Sequence, residues 1–498
     1  MSKLQNINKY KLELVSFVVG FVVLTFELVA VRIIAPYIGT TVYTWTSIIG
    51  VILASLAIGY ALGGYIADKR KSSDDIALLL LSAATAIFIV NITKDWLLFH
   101  IGGNSLGTKW QSLIASLVLF ALPTIALGAV SPYLARLSLS GLSSSGRRIA
   151  RINAAGALGS LAGVFLTGYL LFELLGTRNI LSMLVIILVA CSYLMSRWRF
   201  LVVQITLIWL AGFTIIFPPK IHTFGLQSDI DTSYSRVQVF NRYLDGRPTR
   251  ILSTDPGAWQ SGVYLDGRPG LAFDYIRAFD YASRLSPAGK DYLVIGGGAF
   301  SLPAHLAASN PGVGVDTVEI DGQLQTISKQ YFGLQPTANL KIITSDGRQY
   351  LNQNQKKYGM IFVDAFSNIT PPFQLFSEQA VERIRASLVP GGVVAVNIIS
   401  AVNGPRSGML DAIDKTYLKV FPDSAVFKVD SAKASALPQN LLLLASTKPL
   451  NEATVSKAKA VNQESALVFG KVQTVDYNSG RLLTDDFAPI ESLAAKDF

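Results

Sequence analysis

Long apolar stretches with few charged residues fill the first 220 positions of the chain. Seven of them run at about 12–35, 43–65, 76–93, 111–135, 154–175, 179–195 and 199–217. Each is near the roughly 20 residues that a helix needs to cross a bilayer. The first is too long for a signal peptide, lacks a small-residue cleavage site and is followed at once by further stretches. The pattern therefore predicts an all-α, polytopic membrane domain over residues 1–219, with the lipid bilayer as its partner.

From about residue 220 the period of the pattern becomes that of β-strands. Residues 234–280 alternate polar and apolar positions around the turn signals Asp245-Gly246, Asp255-Pro256-Gly257 and Asp266-Gly267, which predicts a small antiparallel β module over residues 220–285. Strand-like runs separated by helix-length connections then predict a doubly wound, Rossmann-like α/β domain over residues 286–498. The runs are Tyr292–Ile295, Val315–Glu319, Lys341–Thr344, Met360–Val363, Val393–Ile398, Ser424–Val429 and Leu441–Leu444.

The composition agrees with a membrane protein and excludes two other classes. Of 498 residues, 51% are hydrophobic and 15% are charged, which excludes a disordered chain. The single cysteine, Cys191, excludes a disulfide framework. The net charge is +10, but residues 1–219 hold 16 Lys/Arg against 7 Asp/Glu and the rest holds 27 against 26. The basic residues therefore belong to loops between apolar stretches, and we expect no nucleic-acid partner.

Two charged residues, Glu27 and Arg32, fall within the first apolar stretch. Buried charge is expensive in a membrane and usually faces protein or a water-filled cavity. Two interpretations follow: the side chains line a substrate path, or they pair with another helix or extend to the interface.

The sharpest chemical signal is a buried strand that ends in glycines. Tyr292–Ile295 runs directly into Gly296, Gly297 and Gly298, and Glu319 ends the next strand about 20 residues later. Glycines let the backbone approach a ligand closely, and an acid at the tip of the second strand accepts hydrogen bonds from ribose hydroxyls. The combination predicts a nucleoside site.

Two further aspartates follow the third and fourth strands. Asp346 lies in Ser345-Asp346-Gly347, where it would accept from an adenine amino group or cap a helix. Asp364 lies in Val363-Asp364-Ala365-Phe366, where ligands bind in such sheets, so we expect it at the reaction centre. The three histidines have no metal-ligand spacing, and we expect no metal.

These motifs together resemble the polyamine aminopropyltransferases, or spermidine synthases, and in particular their bacterial membrane-fused branch. The resemblance is carried by Ile295–Gly298, Val318–Asp321, Ser345–Gly347, Val363–Ala365, Leu388–Val393 and the tail Leu483–Glu491. It implies a methyltransferase-type Rossmann fold in a bacterial inner membrane, with S-adenosylmethionine or its decarboxylated form as substrate and no other cofactor. Soluble relatives are commonly dimers or tetramers, so a homo-oligomer is one option.

The resemblance also implies a role for each matching residue. Glu319 would bind ribose, Asp346 and Gly347 would hold adenine, and Asp364 would be catalytic. The glycines Gly296, Gly297 and Gly298 would receive the nucleoside, and Gln260 matches a glutamine that follows an Asp-Gly turn in the family.

The departures from the family favour a different reaction. Ala299 stands where the family has an aspartate for the amino group of the decarboxylated donor, and a Tyr-His-Glu stretch is replaced around Arg277–Asp280. Loss of the carboxylate relieves repulsion against the α-carboxylate of intact S-adenosylmethionine, and Arg277 would attract that group. Tyr264 and Phe366 would form aromatic walls. We therefore expect Ala299, Arg277, Tyr264 and Phe366 at the substrate tail.

Three functions remain open. The leading hypothesis is a lyase that cleaves S-adenosylmethionine to 5′-methylthioadenosine and homoserine lactone, a displacement that needs positioning more than acid–base chemistry. The alternative is aminopropyl transfer from the decarboxylated donor to putrescine or another amine. A third is a non-catalytic membrane sensor or transporter.

The side of the membrane is a separate problem. Basic residues at Lys3–Lys11, Lys69–Lys71, Arg147–Arg151 and Arg197–Arg199 place the N-terminus and the even-numbered loops in the cytoplasm. Seven crossings would leave the polar domain outside, whereas the nucleoside favours a cytoplasmic catalytic domain. We expect the last two stretches to be a re-entrant or partial pair.

Overall fold

The computed structural model describes residues 9–102, 106–139, 145–196, 198–217, 224–255, 258–366, 371–430, 432–448 and 481–497. The chain forms two compact units. The first holds the helices up to Phe217 together with Asp231–Ser233, and the second holds the remaining residues. Lys3, Arg197, Pro256 and Gly257, which entered the sequence interpretation, lie outside the described ranges.

Every apolar stretch predicted from the sequence forms a helix in the first unit. The helices are α1 Lys9–Ile38, α2 Val42–Lys69, α3 Ser73–Gly102, α4 Gly107–Ser138, α5 Ser145–Leu166, α6 Thr177–Met195 and α7 Leu201–Ile216. The α5 helix continues through a π-helical turn, Thr167–Leu171, to Leu174. Within the described residues, six helices are long and apolar enough to span a membrane, and α7 is shorter.

Close packing of glycines against neighbouring backbone joins the helices in pairs. The α1 helix packs on α5, where a side chain at Gly159 would collide with the Phe17 carbonyl. The α2 helix packs on α4, where a side chain at Gly63 would collide with the backbone of Ala129. Small residues allow such approach in membranes, where association depends on van der Waals contact.

The last two helices form an antiparallel hairpin. Near one end, Gln204 Nε2 of α7 donates to Ser192 Oγ of α6 at 3.2 Å. Near the other end, the hydroxyls of Ser182 and Thr214 lie 3.0 Å apart. The α7 helix therefore runs back along most of α6. The pair predicted as re-entrant or partial is one full-length helix and one helix of 16 residues, about 24 Å long.

Arg32 has a structural role at the end of α1. Its Nη1 donates to the carbonyl oxygen of Thr232 at 3.0 Å, and Nη2 also donates to the Ser233 carbonyl. The guanidinium carbon lies 3.9 Å from the centroid of the Phe172 ring. Of the two interpretations offered by the sequence, structural pairing applies to Arg32.

The second unit begins with the predicted antiparallel module. Its strands are β1 Leu226–Asp231, β2 Arg236–Leu244, β3 Arg247–Asp255 and β4 Ala258–Tyr264, arranged in that order. The turn between β2 and β3 places Asp245 and Gly246 at φ 51° and φ 72°. Two positive φ values are typical of a tight hairpin turn, which the Asp-Gly pair predicted. The α8 helix, Asp274–Ser283, follows the module.

A seven-stranded sheet forms the rest of the unit, in the order β10-β11-β9-β8-β5-β6-β7. Its strands are β5 Tyr292–Ile295, β6 Val315–Glu319, β7 Leu340–Thr344, β8 Tyr358–Val363, β9 Leu388–Ser400, β10 Asp423–Lys428 and β11 Gln439–Ser446. The helices are α9 Ser301–Ser309, α10 Gln323–Tyr331, α11 Gly347–Gln353, α12 Glu378–Ala386, α13 Gly408–Val420 and α14 Ile490–Asp497.

The predicted parallel arrangement holds for β5 to β9, and one strand departs from it. The β11 strand runs antiparallel to both β9 and β10. The described residues between β10 and β11 form no helix, and the two strands pair as an antiparallel hairpin. This is a Rossmann-like fold of the methyltransferase type.

Both faces of this sheet are covered. Leu293 and Ile361 pack into one apolar cluster, and Val294 and Phe362 pack into another. Successive residues of a strand point to opposite faces, so a strand buried on both faces is continuously apolar. This is why these strands were visible in the sequence as short apolar runs.

Candidate active site

The glycine loop lies at the carboxyl end of β5 and touches the end of β8. Gly296 has φ +100°, and a Cβ atom there would collide with the backbone carbonyl of Asp364. Gly298 has φ +52°, and its Cβ would lie 2.6 Å from Ser261 Oγ. Glycine is required at Gly296 for both its φ angle and this close approach.

Glu319 ends β6 and accepts hydrogen bonds from the glycine loop. Its Oε2 accepts from the amide of Gly297 at 2.6 Å and from that of Gly298 at 3.3 Å. Its Oε1 accepts from the amide of Asp321 at 3.0 Å. Burial raises the pKa of Glu319, while these three backbone hydrogen bonds oppose the rise. The structure thus brings together the glycines and the acid that the sequence paired.

Asp346 caps a helix in this structure. It precedes α11, and its Oδ1 accepts from the amide of Gln349 at 2.9 Å. The next residue, Gly347, is buried, and a Cβ atom there would lie 2.7 Å from Ile295 Cγ2 of β5. The capping interpretation therefore describes the geometry, and contact with adenine stays a prediction.

Asp364 follows β8 and is oriented by two amide side chains. Its Oδ1 accepts from Asn397 Nδ2 of β9 at 3.0 Å. Asn397 Oδ1 in turn accepts from Asn440 Nδ2 of β11 at 3.0 Å. The carboxyl therefore ends a chain of hydrogen bonds that crosses three adjacent strands of the sheet.

The environment of Asp364 changes its acidity. Burial raises its pKa to about 6, and the nearby Glu319 carboxylate contributes to the rise. Hydrogen bonds from Asn397 and from the Tyr275 hydroxyl favour the charged form and oppose it. A carboxyl with such a pKa is ionised at neutral pH and is a better proton acceptor than an ordinary aspartate.

Tyr275, on α8, is a site residue that the sequence interpretation missed. Its hydroxyl, which has a single proton to donate, lies within hydrogen-bond reach of both the Gln260 backbone carbonyl and the Asp364 carboxyl, beside the Ser261 side chain. Burial and the Asp364 charge raise its pKa well above the ordinary value, so it remains a donor. Asn397 and Asn440 were missed too. The available signal was the position of Tyr275 two residues before the replaced Tyr-His-Glu stretch.

Gln260 lies on β4 within this cluster. Its backbone carbonyl receives the Tyr275 hydroxyl, and its side chain is half-buried. The structure thus places Gln260 beside Asp364 through its backbone contact with Tyr275, and contact of its side chain with a donor stays a prediction.

Arg277 and Tyr264 form a separate polar network. Arg277 Nη2 donates to the Tyr264 hydroxyl at 2.9 Å, and Nη1 donates to Asp274 at 2.8 Å. Its Nη2 also lies 3.3 Å from an Asp245 carboxylate oxygen, and Arg247 stacks 3.4 Å above the Tyr264 ring. The Arg277 guanidinium is already neutralised by two carboxylates.

Ala299 and Phe366 differ in their surroundings. Ala299 is buried in an apolar cluster with Phe300, Val237 and Leu252, so its position carries no charge. Phe366 is half-buried and comes just before residues 367–370, which lie outside the described ranges. Contact of either residue with the tail of a substrate stays a prediction.

No cluster of three or more His, Cys, Asp or Glu side chains suited to a metal ion occurs among the residues that the structure describes. The site is built instead from carboxylates, amides and a phenol at the carboxyl edge of a parallel sheet. Ligands bind at this edge in open α/β sheets.

Fold and position of the site define the class: a methyltransferase-type Rossmann domain with its polar residues at the carboxyl edge. Residues 280–428 match the Spermine/spermidine synthase domain. This part of the chain is therefore similar to that domain, and its homologues include polyamine aminopropyltransferases. Those homologues bear out the family resemblance seen in the motifs.

Two relatives illustrate the extent of the match. A probable polyamine aminopropyl transferase of Bifidobacterium longum is 29% identical over 283 residues, which cover 53% of this chain and 61% of that protein. A polyamine aminopropyltransferase of Vibrio vulnificus is 28% identical over 237 residues, which cover 45% of this chain and 76% of that protein.

Among solved structures, a probable spermidine synthase from Corynebacterium glutamicum is similar at a TM-score of 0.41 and 20% identity. The similarity covers 47% of this chain and 85% of that one.

Proposed function

We propose that the second unit transfers an aminopropyl group from decarboxylated S-adenosylmethionine to an amine acceptor. The observation that carries this proposal is Asp364, a carboxyl with a pKa of about 6 at the carboxyl edge, beside the glycine loop. The names of the relatives support aminopropyl transfer and none of them is named a lyase. The alternative reaction of the sequence interpretation is therefore the better supported one.

Asp364 is the proton acceptor in the proposed reaction. The lone pair of the acceptor nitrogen attacks the carbon next to the sulfonium, and the carbon–sulfur bond breaks. The electron pair of that bond stays on sulfur, which leaves as neutral 5′-methylthioadenosine. The nitrogen loses a proton to Asp364, and Asn397 and Tyr275 hold the carboxylate in place.

The remaining residues would bind the nucleoside. A carboxylate has about four lone-pair positions, and Glu319 uses three for backbone amides, which leaves one for a ribose hydroxyl. Gly296, Gly297 and Gly298 would allow close approach of the donor, while Asp346 and Gly347 would contact adenine. Gln260, on strand β4, would border the donor site, because its backbone carbonyl is hydrogen-bonded to Tyr275.

Ala299 keeps the lyase reaction as a second candidate. An apolar cluster occupies the position where the family has an acid, so a donor amino group finds no carboxylate there. In the lyase reaction the substrate's own carboxylate oxygen attacks its γ-carbon. The carbon–sulfur bond breaks, so that homoserine lactone forms and methylthioadenosine leaves. Arg277 supports this less than the sequence suggested, because Asp274 and Asp245 already neutralise it.

The test is chromatography of methylthioadenosine after reaction of the full chain in detergent. One reaction contains decarboxylated S-adenosylmethionine with putrescine, and the other contains S-adenosylmethionine alone. Methylthioadenosine in the first reaction that depends on putrescine and is lost in Asp364→Asn supports transfer. Methylthioadenosine with homoserine lactone in the second would replace transfer by the lyase. Binding of either donor without turnover would favour a sensor.

The same proposal includes a multi-pass location in a bacterial inner membrane. The six helices long and apolar enough to span a bilayer support it.

A further inference from the structure

A cavity that is open on one side lies between α1, α2, α4 and α5 of the helical unit, and its lining residues Tyr60, Asn153 and Ala157 are exposed. Its volume is about 290 Å³. Ser16, Gly20, Val23 and Leu24 of α1 form one wall, at the three- and four-residue spacing of a single helix face. Small ligands occupy cavities from roughly 300 Å³ upward, so this one suits a short molecule.

Several polar side chains face this cavity without a hydrogen bond to another described residue. They are Tyr60 of α2, Ser131 of α4 and Asn153 of α5. Two further lining hydroxyls, Ser16 and Ser160, donate to backbone carbonyls, so their oxygen lone pairs remain available. Polar groups in a membrane bundle are costly and mark ligand or ion paths.

Glu27 lies on the same face of α1 as the cavity wall. It follows Ser16 by 11 residues, about three helical turns, and lies about 4.5 Å beyond Leu24 along the axis. Its side chain is half-buried and has no ion pair or hydrogen bond to any residue in the described ranges. The other charge of this helix, Arg32, is bound to the carbonyls of Thr232 and Ser233.

The charges around the cavity select the chemistry of its occupant. No lysine or arginine is among the lining residues. Hydroxyl, phenol and amide oxygens accept hydrogen bonds. The Glu27 carboxylate, about one helical turn beyond the lining residue Leu24, has no counter-ion among the described residues. An ammonium group supplies three donors and the missing positive charge.

We propose that this cavity binds a small aliphatic amine as its ammonium ion, with Glu27 as the counter-ion. Val23, Leu24, Leu56 and Leu127 enclose its carbon chain, and the polar side chains accept hydrogen bonds from its nitrogen. Every residue involved belongs to the first unit, so the inference does not rest on the proposed catalytic function.

The test is calorimetric titration of the full chain in nanodiscs with n-butylamine, 1,4-diaminobutane and n-butanol. We expect both amines to bind and the uncharged alcohol to bind far more weakly. Glu27→Gln should weaken amine binding on the order of 30-fold, because it removes the charge from a desolvated ion pair. The same substitution at Glu173, which is exposed, should leave binding unchanged.

Two variants keep the outcome interpretable. Ala157→Leu fills the cavity from an exposed lining position and should also abolish binding, while unchanged thermal unfolding of both variants would show that neither loss is a folding defect. Asp364→Asn should retain it. Equal binding of alcohol and amine that ignores Glu27→Gln would overturn the proposal in favour of an apolar ligand. Amine binding lost only in Asp364→Asn would overturn it in favour of the catalytic site.

Discussion

At the scale of single residues, opposing influences determine the acidity of Asp364. Burial and the Glu319 charge favour the neutral carboxyl, while hydrogen bonds from Asn397 and Tyr275 favour the carboxylate. The resulting pKa of about 6 lies below physiological pH, so the group is ready to accept a proton. Activity should therefore depend on Asp364 and on the residues that orient it.

Asp364→Asn should lower the rate of methylthioadenosine release by about 10²- to 10⁴-fold, because it removes the proton acceptor. In the unaltered protein the rate should rise with pH through about 6, as Asp364 loses its proton. Rates at saturating substrate over a range of pH check both. A rate that falls as pH rises through this range would contradict the role of base.

Asn397→Leu should move the rise of the rate with pH, here called the acid limb of the pH profile, to higher pH. The variant removes a hydrogen bond to the charged form of Asp364, and the pKa of the carboxyl should rise further. Asn440→Leu acts only through Asn397 and should shift the limb less, in the same direction. Asn397→Leu with an unchanged pH profile but a lower rate would mean that the residue supports packing alone.

At the scale of elements, the loop after β5 joins two strands through its backbone. Gly296 donates its amide to the Val318 carbonyl of β6 at 2.9 Å and lies against the Asp364 carbonyl. The loop therefore requires both a positive φ and the absence of a side chain. These two requirements can be separated by experiment.

Gly296→Ala should destabilise the protein by more than the ~1 kcal/mol typical of Ala at a positive φ. The added Cβ collides with the Asp364 backbone, whereas at Gly267, with φ +72°, it would meet nothing within 4 Å. Gly267→Ala is therefore the control for the φ cost alone. Thermal unfolding of the two variants measures the difference in stability. Equal losses of stability would show that the loop rearranges to accommodate the Cβ atom at position 296.

At the scale of the whole molecule, charge and helix count together determine topology. Twelve of the 16 Lys/Arg before residue 220 lie in the N-terminal segment, in the α2–α3, α4–α5 and α6–α7 connections or in the helix ends that border them. The α7 helix returns along α6, so Phe217 lies toward the other face of the bundle. The positive-inside rule places the basic connections in the cytoplasm and the chain after α7 outside. A cytoplasmic nucleoside donor would require the reverse.

We expect the catalytic unit to lie in the cytoplasm with its nucleoside donor, because six of the described helices are long enough to span the bilayer and α7 is shorter. Cys191, the single natural cysteine, is buried, so labelling with a thiol reagent reports on cysteines that are introduced elsewhere. A membrane-impermeant maleimide should therefore label neither Ser309→Cys nor Lys71→Cys in intact cells, and both after permeabilisation. Labelling of Ser309→Cys but not of Lys71→Cys in intact cells would place the catalytic unit outside and show that α7 crosses the bilayer. Outside labelling would mean that the donor must be supplied on that face.

The sequence by itself determined the elements and the strand-end chemistry. Seven apolar stretches, the strand runs and the turn at Asp245-Gly246 depend on local period and backbone preference, which are written in neighbouring residues. Gly296 and Glu319 were paired correctly because parallel strands bring their carboxyl ends to one edge. The family resemblance rested on these same positions.

Only the tertiary structure decided which side chains meet across the sheet. Tyr275 reaches Asp364 from a helix, and Asn440 reaches it through Asn397, at separations that no local pattern encodes. The same holds for Arg277. The sequence predicted that it binds a substrate carboxylate, whereas in the structure it forms ion pairs with Asp274 and Asp245. A side chain's partners depend on the packing of distant segments, whereas its helix or strand depends chiefly on its neighbours.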